Sequence, residues 1–84
     1  AGAVDIARIA REFAGYGLAP RHLRIIRNAA ARDAEMLLQG LQPVMHAAGP
    51  TARVDAARAT ERLLLLCERL RSAVMRDAMS HVLD

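Results

Sequence analysis

The sequence contains no lysine and no tryptophan, and its 84 residues include one cysteine, one tyrosine and one phenylalanine. One cysteine cannot close an intrachain disulfide, so the chain reads as intracellular, with no covalent staple for its core. It also speaks against a structural zinc site, which draws on cysteines in pairs. The histidines, His22, His46 and His81, fall on separate segments and share no ligand spacing such as HxxxH, so no metal is expected. No run of 18 apolar residues exists and no signal peptide is visible, which excludes a membrane span and points to the cytoplasm. A catalytic constellation is also missing: there is no Ser/His/Asp set, no glycine loop to cradle a phosphate and no H-E-x-x-H. Function has to be argued from a site, so neither an enzyme nor a cofactor is expected.

What remains is a short, arginine-rich and alanine-rich chain. Eighty-four residues make at most one domain, and such a chain buries only about 60–65% of its unfolded-state surface, which leaves a lone core marginal. The apolar fraction is 54%, but 18 of those residues are Ala, so 11 Leu carry most of the useful hydrophobic area. A core of Leu, Ile, Ala and Met favours helices over sheets. All twelve basic residues are Arg; against nine acids the net charge is +3, with the two signs interspersed along the chain. A stand-alone nucleic-acid binder concentrates positive charge more strongly. The chain opens at Ala1-Gly2-Ala3-Val4 without Met, which suggests a fragment of a longer protein.

Apolar periodicity predicts three helices, over about residues 4–15, 20–47 and 51–83, and no strand. In the first, Ala3, Ile6, Ala7, Ala10, Phe13 and Ala14 form one stripe, Asp5 favours the positive end of the dipole, and Gly15 and Gly17 end the helix. Pro20 suits the first turn of the second helix. There Leu23, Ile26, Ala30, Ala34, Leu37, Leu41, Val44 and Ala48 lie within about 40° of one line at 100° per residue. Ile25, Ala29, Met36 and Gly40 make a second stripe. The phase survives Pro43, so a kink is expected there, not a stop. Gly49 and Pro50 terminate, and Thr51 can cap the third helix. The expected fold is an all-α bundle of about three helices, with a long kinked second helix and a long C-terminal one.

Several residues invite a functional reading. In "GLAPRHLRIIR", residues 17–27, the turn glycine, the proline and the regularly spaced arginines resemble the opening of a DNA-reading helix, with Arg21, Arg24, Arg27 and Arg32 as contacts. Phe13 opposes that reading, because a helix-turn-helix wants a small residue four positions before its turn glycine. Leu23, Ile25 and Ile26 also fill much of the surface that would read bases. Cys67 sits on an apolar stripe, as a small buried hydrophobe does. Glu12 with Arg8, Glu61 with Arg58 and Glu68 with Arg71 have the spacing of helix-surface ion pairs. Arg27 and Asp33 flank the apolar line of helix 2, so each needs a partner: a neighbouring helix, an effector or a second subunit.

Helix 3 is the most informative element. Its main stripe comprises Ala52, Ala56, Ala59, Leu63, Leu66, Cys67, Leu70, Val74 and His81. Leu64, Leu65, Met75, Met79, Val82 and Leu83 lie away from that line. Left open, they form an oversized apolar patch, the mark of an interface. A symmetric homodimer is the commonest way to cover one; the alternative is that helices 1 and 2 cover both faces.

"YGLAPRHLRIIRNAAARDAE" and "LLLLCERLRSAVMRDAM" together resemble the C-terminal region of actinobacterial MerR-family transcription regulators, over residues 4–79. The most specific part is Tyr16-Gly17-Leu18-Ala19-Pro20-Arg21-His22-Leu23-Arg24. The resemblance implies a helical domain that dimerises and, in many members, senses an effector. It also implies that promoter DNA is read by an N-terminal winged helix-turn-helix outside these residues. The same peptide is similar to the reading helix of that winged domain, but here the chain continues into 25 more helical residues with no β-wing. The metal sensors of the family use cysteine pairs, which this chain lacks. The expected function is therefore dimerisation and effector sensing in a MerR-like regulator. The alternatives are a self-contained helical DNA-binding module using Arg21, Arg24 and Arg27, and a helical adaptor for another protein.

Overall fold

A computed structural model describes residues 2–84, and they are helical almost throughout. The elements are α1 (Gly2–Gly15), α2 (Pro20–Met45), α3 (Ala52–Ala78) and α4 (Ser80–Leu83), with no strand among the described residues. The all-α expectation holds, with three long helices and the last one divided near its end.

The peptide that looks like a DNA-reading turn is a helix stop followed at once by a helix start. Leu18 N–H donates to Phe13 O (3.1 Å) and Gly17 N–H to Ala14 O (3.0 Å), the paired bonds of a Schellman closure. The closure needs a left-handed residue, and Gly17 supplies it at φ +82°. Two residues later α2 begins with Pro20 in the first helical position, where a missing N–H costs nothing. The Ala19 N–H donates back to His22 Nδ1 at 2.9 Å. His22 thus does what a glutamate does at the third position of a capping box.

Pro43 lies inside α2 without ending it, as the apolar phase predicts. The helix stops at Met45, two residues before the expected end, and His46 Nδ1–H donates to the Gln42 carbonyl at 2.9 Å. Thr51 precedes α3 but does not cap it through its side chain, because its hydroxyl donates to the Asp55 carboxylate (3.0 Å). The third helix does not reach Leu83 unbroken. Met79 takes φ −101° and ψ 9°, and its carbonyl accepts from Val82 N–H in a tighter i→i+3 turn. α4 follows as a single turn.

The chain forms two compact units whose boundary falls inside α2, between Arg32 and Asp33. In the first, Ala10 and Phe13 of α1 and Leu23 and Ala29 of α2 are half-buried, as are Ala19 and His22 at the junction. The rest of the expected α1 stripe is open; Ile6 is 70% exposed.

The second unit is an antiparallel helix pair. Asp33, Leu37, Leu41 and Val44 of α2 lose exposure together with Ala56, Ala59, Thr60, Leu63, Cys67 and Arg71 of α3. The register is antiparallel because Asp33 meets Arg71 while Gly40, seven residues on, meets Leu63. Thr60 sits in this seam with its hydroxyl bonded to Ala56 O (2.8 Å), so burial leaves it satisfied. Leu41, at 4% exposure, is the one buried apolar side chain among the described residues.

Charge follows the same division. The residues up to Arg32 carry six arginines against Asp5 and Glu12, a net +4, whereas the remainder carries six arginines against seven carboxylates, a net −1. The two signs are interspersed in the second unit, while the first has an excess of arginine that a whole-chain total of +3 conceals.

Two substitutions test this packing by urea unfolding. Leu41→Ala should destabilise by about 2–3 kcal/mol through lost burial and an incompletely closed cavity. Gly40→Ala should stabilise by about 0.5–1 kcal/mol, because an added Cβ lies 3.8 Å from Leu63 Cδ1, an ordinary contact. Stabilisation by Leu41→Ala or loss of stability in Gly40→Ala would contradict this register.

Candidate interaction surface

The α2–α3 seam uses only part of the apolar line that the sequence lays along α3. From Ala52 to Cys67 the line is half-buried, but Leu66, Leu70 and Val74 on the same line are open, with Leu70 at 67% exposure. Residues that share this line in the sequence thus differ in cover: Leu66 lies at the edge of the seam, and Leu70 and Val74 lie open beyond Cys67.

The six residues proposed as an interface are all exposed: Leu64, Leu65, Met75, Met79, Val82 and Leu83, with Leu64 at 44% and Val82 at 65%. Two shallow open hollows run along this side of the helix. One is lined by Ala57, Leu64 and Leu65 with Arg58, Glu61, Arg62 and Glu68 at its edges. The other is lined by Ser72, Met75, Met79 and Leu83 with Glu68, Arg71 and Arg76. An apolar floor with charged edges is the layout of a protein interface, which keeps charge to its rim.

Asp33 finds its partner within the chain. The Arg71 Nε–H donates to Asp33 Oδ2, and Cys67 Sγ donates to the same oxygen at 3.6 Å. The hydrogen bond from Arg71 holds the Asp33 carboxyl below its ordinary value, aided by the charge of the guanidinium, with partial burial opposing both. Arg71 is raised by the same pair and stays protonated throughout. Sequence spacing assigned Arg71 to Glu68, and the structure gives it to Asp33 instead. A partner in the facing helix is fixed by an antiparallel register, which local spacing does not contain. Neither Glu12–Arg8 nor Glu61–Arg58 closes into an ion pair among the described residues.

Arg21, Arg24, Arg27 and Arg32 are all exposed, and Arg27 makes no ion pair among the described residues. No group of three His, Cys, Asp or Glu residues suited to a metal ion occurs among the described residues. No helix there is long and apolar enough to cross a membrane.

The Asp33–Arg71 pair makes a pH prediction. A carboxyl whose folded pKa lies below its unfolded value contributes stability above 3.8, the ordinary value, and loses it as pH falls through the folded value. Acid unfolding of the protein should therefore show an increment below about pH 4 that Asp33→Asn removes. An unchanged acid limb in that variant would contradict the pairing.

Residues 1–83 match the model of a family described as the Rv1828-like, C-terminal domain. Two curated relatives, "Uncharacterized HTH-type transcriptional regulator Mb1859" of Mycobacterium bovis and "Uncharacterized HTH-type transcriptional regulator Rv1828" of Mycobacterium tuberculosis, are each 35% identical over 81 residues. The alignment covers 96% of this chain but 33% of each relative, so the chain spans about a third of their length. No solved structure matches. With the family model covering nearly every residue, the chain belongs to the Rv1828-like C-terminal domain family.

Proposed function

We propose that this chain is the dimerisation and effector-sensing domain of a MerR-like helix-turn-helix transcription regulator, working in the cytoplasm as a homodimer. The observation that carries the proposal is the open apolar side of α3, from Leu64 to Leu83, on a chain in which Leu41 is the one buried apolar side chain among the described residues. Covering a Leu, Val or Met side chain completely is worth about 1.5–3 kcal/mol. Six such residues, each already part-covered, supply several kcal/mol toward the cost of association. A second copy offers a matching apolar face with the same charged edges.

In this reading promoter DNA is bound by a helix-turn-helix domain elsewhere in the protein, as the names of the mycobacterial relatives suggest. Two paired copies of the present domain set the spacing and twist of two such DNA-binding domains. An effector changes transcription only by binding one arrangement of the pair better than the other. The hollows on α3 are open along one chain, so a second chain laid over them would turn open grooves into enclosed space. The edges carry both signs, Arg58, Arg62 and Arg76 beside Glu61 and Glu68, and so suit a ligand with polar groups around an apolar body.

The pairing is tested by sedimentation equilibrium at micromolar concentration. The expected result is a dimer, converted by Leu64→Arg or Met75→Glu to a monomer of unchanged helical content by circular dichroism. A monomer in the unsubstituted protein would overturn the proposal, and a monomer that associates only when another protein is added would favour the adaptor reading.

A further inference from the structure

A second surface carries a different chemistry. Between Pro20 and Arg32, α2 holds four arginines and no carboxylate; the first acids of the helix are Asp33 and Glu35. At 100° per residue, Arg21, Arg24, Asn28 and Arg32 fall within about 80° of one another, a ridge about 16 Å long that Ile25, 70% exposed, borders on one side and that Glu35 ends one turn past Arg32. All four are exposed, and none of the three arginines is in an ion pair among the described residues. The two acids of this unit, Asp5 and Glu12, both lie on α1.

This arrangement works against local stability. The positive end of a helix favours carboxylates in its first turn. Asp5 and Asp55 fill that role in α1 and α3, whereas the first turn of α2 has no acid and carries Arg21. None of the ridge arginines is held in an ion pair among the described residues, so an external anion would relieve their mutual repulsion.

We infer that the Arg21–Arg24–Arg32 ridge binds the phosphodiester backbone of duplex DNA without reading its sequence. The guanidinium fork matches phosphate oxygens bidentately, and Asn28, between the arginines, can donate to a phosphate as well. A protein partner would be expected to seek an apolar centre ringed by charge, which this crest lacks, whereas a phosphate backbone needs none. The contact is therefore auxiliary, adding affinity and not specificity. It differs from a helix-turn-helix docking, which Phe13 and the neighbouring Leu23 and Ile26 oppose. The inference rests on charge and phase in α2 and is independent of the pairing proposed for α3.

Fluorescence anisotropy with a 25-base-pair duplex of arbitrary sequence tests it. Three phosphate contacts per chain predict a slope of log K against log salt near −2.7, or about a 40-fold loss of affinity per chain between 50 and 200 mM salt. Arg21→Gln/Arg24→Gln should flatten the slope by about 1.8, with helical content and sedimentation unchanged. Arg53→Gln/Arg69→Gln, of equal charge change on α3 and outside both hollows, should leave it nearly intact. Absence of binding at 50 mM salt, equal loss from both double variants, or tighter binding of an acidic peptide such as poly-glutamate would each overturn the inference. None of these outcomes bears on whether the protein is a dimer.

Discussion

One constraint governs this molecule: its helices carry more apolar surface than they cover by folding on themselves. Two long amphipathic helices meet along a single seam, and a seam between two cylinders hides one stripe of each. α3 continues past the last residue of α2 that is paired with it in the second unit, and its apolar line continues too. Leu41 of α2 is buried in the seam, while Leu70 and Val74 of α3 and Val82 of α4 lie in the open. Small domains are marginal for this reason. The second copy proposed above would supply the surface that covers the rest.

Within that limit, polar chemistry fixes the register of the seam. Asp33 and Arg71 face each other where α2 enters the second unit, with Cys67 donating to the same carboxylate. The pair is only half-buried, so its contribution to stability is modest and screened by water. Its consequence is geometric. Sliding one helix by a turn would separate the charges and bring Asp33 against the apolar residues of the line. The seam is otherwise lined by Ala, Leu and Thr, which tolerate a slip far better.

Much of this was legible in the sequence, and the gaps have a common cause. The three-helix pattern, the passage of α2 through Pro43, and the glycine and proline that stop and restart the chain at residues 17–20 follow from local rules, and the structure obeys them. The break at Met79 follows none of these rules, because no glycine or proline announces it. The patch on α3 was visible as a second stripe, but the exposure of Leu66, Leu70 and Val74 was not. Periodicity shows which residues share a face and is silent on how far the partner helix extends. The Asp33–Arg71 pair was half-legible: an acid at the edge of an apolar line needs a partner, while the identity of that partner depends on the antiparallel register. The arginine excess of the first unit was hidden for a related reason, since a whole-chain total averages over two units whose boundary lies inside one helix.

The measurement that bears most directly on the governing constraint is the concentration dependence of thermal unfolding. If a second copy of the chain covers the open face of α3, folding and association are linked, and Tm rises steadily as protein is raised from about 1 to 100 µM. A Tm independent of concentration over that range, with the protein monomeric and fully folded throughout, would contradict the account.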